Sequence, residues 1–273
     1  MSYWEADDHY QIYYETYGDP GKQPVMLVHG LGGTAENFRK QISDLSRDYY
    51  VVAYDQRGHG RSERRNQNLT ISQMGKDING LMEYLGLEKT ILTGWSMGVN
   101  AVMSYINDFG DSRLDKVVLI DNTPKMIPDE QWKYGVYPDA MAALKDVAAM
   151  ASIGWPAYSR ACIPAFIGQG GSMPEDELKW YEENYPDNDT LAMVTIFASN
   201  LTTDLSGALS KINVPVMITY GVLPSYGTKE LYEGIASYIK DARVCGFNGG
   251  HLHFWQDAEQ FNRRFREFAE TGR

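Results

Sequence analysis

Two hydrophobic rhythms run along the chain. Ser2 to Ala6 and Gln11 to Tyr17 alternate polar and apolar side chains, the pattern of two antiparallel strands. From Pro24 the apolar positions become continuous instead, in Pro24-Val25-Met26-Leu27-Val28 and again in Lys116 to Ile120, with further strand signals at Tyr49 to Tyr54, Thr90 to Thr93, Val214 to Tyr220 and Arg243 to Phe247. Such runs predict strands buried on both faces, as in a parallel sheet. Between them apolar residues recur every three or four positions, which predicts helices. Phe38, Ile42 and Leu45 mark one within Thr34 to Arg47. Met74, Ile78, Leu81, Met82 and Leu85 mark another, opened by the capping-box spacing of Thr70 and Gln73 and closed by Gly86. Lys229 to Ile239 and Asp257 to Ala269 are two more, the last with Phe261, Phe265 and Phe268 on its inner face.

The alternation stops after Ile120. From about Lys125 to Leu205 the pattern is helical or irregular and rich in Trp, Tyr, Met and Pro. The expected architecture is therefore α/β: a mostly parallel eight-stranded sheet with helices on both faces, and a helical cap inserted after the sixth strand. Residues 1–124 and 206–273 would form the core and residues 125–205 the cap. His9, between the first two strands, reads as a surface turn.

Composition narrows the class. At 273 residues with a net charge of −11, the chain is unsuited to nucleic acid or an anionic membrane surface. Its apolar runs are too short to span a bilayer, and the N-terminus lacks a signal-peptide pattern, so a cytoplasmic location is expected. The two cysteines, Cys162 and Cys245, make neither a disulfide framework nor a metal motif.

The chemistry concentrates where predicted strands end. Gly94-Trp95-Ser96-Met97-Gly98 joins a strand to a helix with the G-x-S-x-G spacing of a nucleophile elbow. A serine on so sharp a turn projects its hydroxyl clear of both elements, and the helix start aims N–H groups at the same place. Three other strand ends carry His29-Gly30-Leu31-Gly32-Gly33, Asp121, and Asn248-Gly249-Gly250-His251. Serine, then acid, then histidine is the chain order of one fold family.

With these motifs, and with Asp55-Gln56-Arg57-Gly58-His59-Gly60-Arg61-Ser62, the sequence resembles the α/β-hydrolases of the esterase, lactonase and non-haem haloperoxidase-like group. The resemblance implies Ser96 as nucleophile, His251 as general base and the backbone N–H groups of Leu31 and Met97 as oxyanion hole, with no cofactor and no metal. It implies that His29 braces the oxyanion loop and that His59 is structural. His253, two residues beyond His251, is the rival base. The family most often takes its acid from a Gly-x-x-Asp after the strand that is Val214 to Tyr220 here, but Gly221-Val222-Leu223-Pro224-Ser225-Tyr226-Gly227 holds no carboxylate. Asp121 is the preferred acid and Asp204 the alternative.

The expected substrate is a small hydrophobic ester or lactone. Trp95, Trp132, Tyr137 and Trp155 are candidates for its pocket, and Gly168-Gln169-Gly170-Gly171-Ser172 for a hinge of the cap. C–C bond hydrolysis on the same residues, or ligand sensing with little turnover, are the alternatives. Nothing in the sequence addresses oligomeric state.

Overall fold

The computed structural model describes residues 2–184 and 188–272. Eight strands form one sheet in the order β1-β2-β4-β3-β5-β6-β7-β8. They are β1 (Ser2–Glu5), β2 (Gln11–Tyr17), β3 (Pro24–Val28), β4 (Tyr50–Tyr54), β5 (Thr90–Trp95), β6 (Leu114–Ile120), β7 (Val216–Gly221) and β8 (Ala242–Phe247). β1 and β2 pair antiparallel, β2 joins β4 antiparallel, and every later pairing is parallel.

The continuous apolar runs have a direct cause. Along β4, Val52 and Tyr54 enter the core on one face while Val51 and Ala53 enter the core on the other. Successive side chains of a strand point to opposite faces, so a strand covered on both sides needs apolar residues at every position. The covering helices are α1 (Arg39–Leu45), α2 (Ile71–Tyr84), α3 (Met97–Phe109), α4 (Ala140–Ile153), α5 (Trp155–Ile167), α6 (Glu175–Asn184), α7 (Thr190–Thr202), α8 (Lys229–Ala236), α9 (His253–Gln256) and α10 (Ala258–Thr271). α2, α3 and α8 bury their apolar sides with Met26, Val52 and Leu92; α1 and α10 bury theirs with Val25, Val51 and Val118. The Phe261, Phe265 and Phe268 stripe of α10 is buried as its spacing predicts. Thr70 caps α2 by accepting from the Gln73 amide at 3.2 Å.

One expected helix is shorter than its pattern. Thr34 to Arg47 splits into a tight 3₁₀ turn, Ala35–Phe38, and α1. The Asn37 carbonyl oxygen accepts from Thr34 N at 2.7 Å and Asp55 Oδ1 from Ala35 N at 2.9 Å. These side-chain partners hold the first turn in the tighter form. The helix before β8 likewise ends at Ala236 rather than Ile239. Among the described residues, four α-helices, α4 to α7, and a 3₁₀ turn, Ser206–Lys211, lie between β6 and β7. No helix among the described residues is long and apolar enough to cross a membrane.

Candidate active site

Ser96 stands between β5 and α3 at φ 54° and ψ −127°, a backbone region that L residues rarely occupy. Two bonds hold it there. Ser96 N donates to Ile120 O of β6 at 2.9 Å, and Val99 N donates to Ser96 O at 2.8 Å. The turn works only if other chain comes close: a Cβ on Gly98 would lie 2.2 Å from Val28 O, and one on Gly30 would lie 2.9 Å from the Ser96 Cβ. The loop after β3 therefore runs directly beside the serine.

Asp121 repeats the arrangement one strand over. It follows β6 at φ 52°, and its N–H donates to Thr219 O of β7 at 2.9 Å. Its carboxylate is buried. Oδ2 accepts from His251 Nδ1–H at 2.6 Å, and Oδ1 accepts from the Tyr232 hydroxyl at 2.7 Å. Burial first, and then the neighbouring carboxylate, push Tyr232 well above the usual phenol range, so it remains a donor. With Nδ1–H committed to Asp121, His251 keeps its lone pair on Nε2. Tyr226 stacks on the imidazole with ring centres 4.2 Å apart, and Phe166 and Trp95 pack against it at 5.3 and 5.4 Å. The backbone is pinned as well: His251 N donates to Ser225 Oγ at 3.1 Å, and His251 O accepts from Trp95 Nε1 at 3.1 Å.

The rival residues sit elsewhere. His253 is fully buried; its Nδ1–H donates to Gly250 O at 3.1 Å and its Nε2 accepts from the Thr219 hydroxyl at 2.9 Å. Burial lowers its pKa to about 4, so it is a neutral packing histidine. Asp204 is exposed, pairs with Lys125 at 2.8 Å and accepts from Ser206 N at 3.0 Å, which makes it a turn cap. His29 Nε2 accepts from Gln56 N at 2.9 Å, and its Nδ1–H donates to Gly30 O at 2.7 Å. That braces the loop carrying Leu31, and burial lowers the pKa of His29 to about 4. His59 is also buried and neutral, its ring 5.0 Å from that of His29.

Ser96 and His251 line one cavity together with Leu31, Trp95 and Met97. Its roof comes from α4, α5 and α7, including Met150, Trp155, Tyr158, Phe166 and Phe197. The space a water-sized group can enter is about 50 Å³, room for only a few small groups. Of the four aromatic candidates, Trp95, Tyr137 and Trp155 line it. Trp132 does not. It is buried against Tyr134 and Tyr238, with ring centres 5.4 Å away in each case. Its large apolar surface packs the start of the inserted segment onto the turn that follows α8.

The segment proposed as a hinge is tied at both sides. Gln169 N donates to Pro224 O at 2.9 Å, and Gln256 Nε2 donates to Ile167 O at 3.1 Å. Three contributors carried no sequence signal: Tyr232, Tyr226, and Asn188, whose amide donates to Gly32 O at 3.0 Å. Each acts through a partner more than a hundred residues away, or through a loop of no regular pattern, or both. Among the described residues, no group of three or more His, Cys, Asp or Glu is arranged to hold a metal ion.

Residues 23–152 match a family model described as the alpha/beta hydrolase fold. A proposed carbamate hydrolase, RutD, of Caulobacter sp. (strain K31) is 31% identical over 87% of this chain and 89% of its own. The chain belongs to the α/β-hydrolase superfamily. Its place is in the esterase, lactonase and haloperoxidase-like group. Among solved α/β-hydrolase structures, an esterase from Exiguobacterium antarcticum superposes with a TM-score of 0.90 over 99% of both chains at 23% identity. A bromoperoxidase from Bacillus anthracis does so at 0.89, over 98% of this chain and all of its own, also at 23%. At that identity the likeness is one of fold.

Proposed function

We propose that the protein is a serine hydrolase of small, largely apolar carboxylic esters or lactones, with Ser96, His251 and Asp121 as its catalytic residues. The observation that carries this reading is the 2.6 Å bond between the buried Asp121 and His251 at the wall of the cavity that Ser96 also lines. In the first half-reaction His251 Nε2 takes the Ser96 proton as Oγ bonds to the substrate carbonyl carbon. The oxyanion formed is met by the N–H groups of Leu31 and Met97, each worth about 3–4 kcal/mol in the transition state. His251 returns the proton to the departing alkoxide, the C–O ester bond breaks, and the acyl group stays on Ser96. Water, deprotonated by the same imidazole, releases the acid and restores the serine. Asp121 holds the imidazole in the tautomer this requires and offsets its positive charge. Residues 125–205 act as a cap that keeps the site apolar.

Relatives named esterase, 3-oxoadipate enol-lactonase and carbamate hydrolase support acyl chemistry of this class. The test is labelling with a fluorophosphonate together with hydrolysis of short p-nitrophenyl esters and simple lactones. Ser96 is expected to be labelled and the esters cleaved, with both lost in Ser96→Ala. Failure of the wild-type protein to react with either would overturn the reading.

A further inference from the structure

The cavity is lined mostly by apolar groups, and apart from Ser96 and His251 its polar groups are hydroxyls, one thiol and two amides. Asn122 and Asn200 both line it, and both are buried. Asn122 is partnered at both ends of its side-chain amide: Nδ2 donates to Asn100 Oδ1 at 2.9 Å, and Oδ1 accepts from Thr123 N at 2.8 Å. Asn100 in turn donates to Thr123 O at 3.0 Å, so this pair is locked by its own network. Asn200, on α7, is only 2% exposed, and its Oδ1 has no hydrogen-bond partner. Burying an amide acceptor without a partner costs about 1–3 kcal/mol. A leucine of nearly the same shape would avoid that cost at this position. The lining residues also include no Lys, Arg, Asp or Glu.

The geometry points to Asn200 as a specificity-determining residue that hydrogen-bonds an uncharged hydroxyl or amide group on the acyl part of the substrate. This rests on the acyl-transfer reading above and narrows it. Turning the Asn200 amide end for end exchanges acceptor for donor, and a hydroxyl or an amide answers either. A carboxylate on the substrate would be buried with no cation on the cavity wall to balance it, so acidic acyl groups are disfavoured.

The experiment compares methyl butyrate, methyl 3-hydroxybutyrate and monomethyl succinate as substrates of the wild-type protein and of Asn200→Leu. Each kcat/KM is divided by the rate of alkaline hydrolysis of the same ester. In the wild type the hydroxy ester is expected to lead butyrate by about tenfold, the worth of one neutral hydrogen bond. Succinate should trail both. In Asn200→Leu the lead should vanish, while the melting temperature holds or rises because an unpaired polar group has been removed. A preference unchanged by the substitution, or a fall in melting temperature, would assign Asn200 a structural role or a buried water and overturn the proposal. A second readout stands apart from turnover: binding of butyramide and 3-hydroxybutyramide to Ser96→Ala, measured by ligand-observed NMR. If no ester is cleaved, a hydroxyamide preference lost in Ser96→Ala/Asn200→Leu upholds the Asn200 site while the hydrolase reading fails. Equal binding of the two amides sinks the site itself.

Discussion

The segments that follow β6 and β7 both reach His251, but by opposite chemistry. After β6 a single residue, Asp121, supplies charge: a buried carboxylate 2.6 Å from Nδ1, held by a strained backbone and by hydrogen bonds from two other elements. After β7 the chain supplies no charge. It surrounds the histidine with neutral contacts instead: Ser225 takes the His251 amide, Tyr226 stacks on the ring, and Tyr232 of α8 reaches past it to the far carboxylate oxygen. The anion and the scaffold that hold the imidazole are thus separable, and two neighbouring strand ends divide them. The strand end with the charge has few ways to change, because a buried carboxylate needs every partner it has. The neutral one, partly exposed, has more latitude.

The division can be broken from either side. Asp121→Asn is expected to cost most, lowering kcat by about 10⁴-fold through the wrong imidazole tautomer. Asp204→Asn should leave kcat within about twofold, and steady-state ester hydrolysis checks both. Equal losses in the two variants would return the acid to the loop before β7.

Next comes stability against pH. His253, bonded to Thr219 of β7, and His29 have folded pKa values of about 4 against an ordinary 6.5. The unfolded chain therefore binds more protons between pH 4 and 6.5, and stability falls as pH drops through that window. Each histidine should cost about 2 kcal/mol by pH 5 relative to pH 8. Thermal melts across this range should decline, and His253→Gln should flatten the decline in part.

Tyr226→Ala removes the stacked ring and should lower kcat/KM by about fivefold, as expected for an aromatic pair worth about 1 kcal/mol. Tyr232→Phe deletes one hydrogen bond to Asp121 and should cost about three- to tenfold in kcat with KM little changed. Ser225→Ala is the mildest, about twofold, because Ser225 is exposed and water can take its place at the His251 amide. A Ser225→Ala loss approaching that of Asp121→Asn would show that the neutral loop carries more than positioning.

Much of this molecule follows from local pattern. Ser96 and Asp121 each directly follow a strand whose apolar run is legible by itself, His251 follows the more polar edge strand β8 by four residues, and strand ends of a parallel sheet meet at one edge. The elbow needs Gly98 because Val28 O passes where a side chain would be, and a Gly-x-Ser-x-Gly string records that constraint within five residues. What pattern could not carry is choice among equals. Trp132 and Trp155 look alike in sequence, yet one packs on Tyr238 just past α8 while the other lies on the Leu31 loop at Gly32. His251 and His253 stand two residues apart, and only the bonds to Asp121 and Thr219 separate them. Tyr232 meets Asp121 across 111 positions of chain, and Asn200, its amide oxygen buried without a partner, lines a cavity built by helices with no common period. Local sequence determines periodicity and turn chemistry because those depend on neighbours along the backbone. Which side chain keeps a hydrogen bond and which is left without one depends on the packing of distant elements, and that was decided only when the sheet and the inserted helices closed on each other.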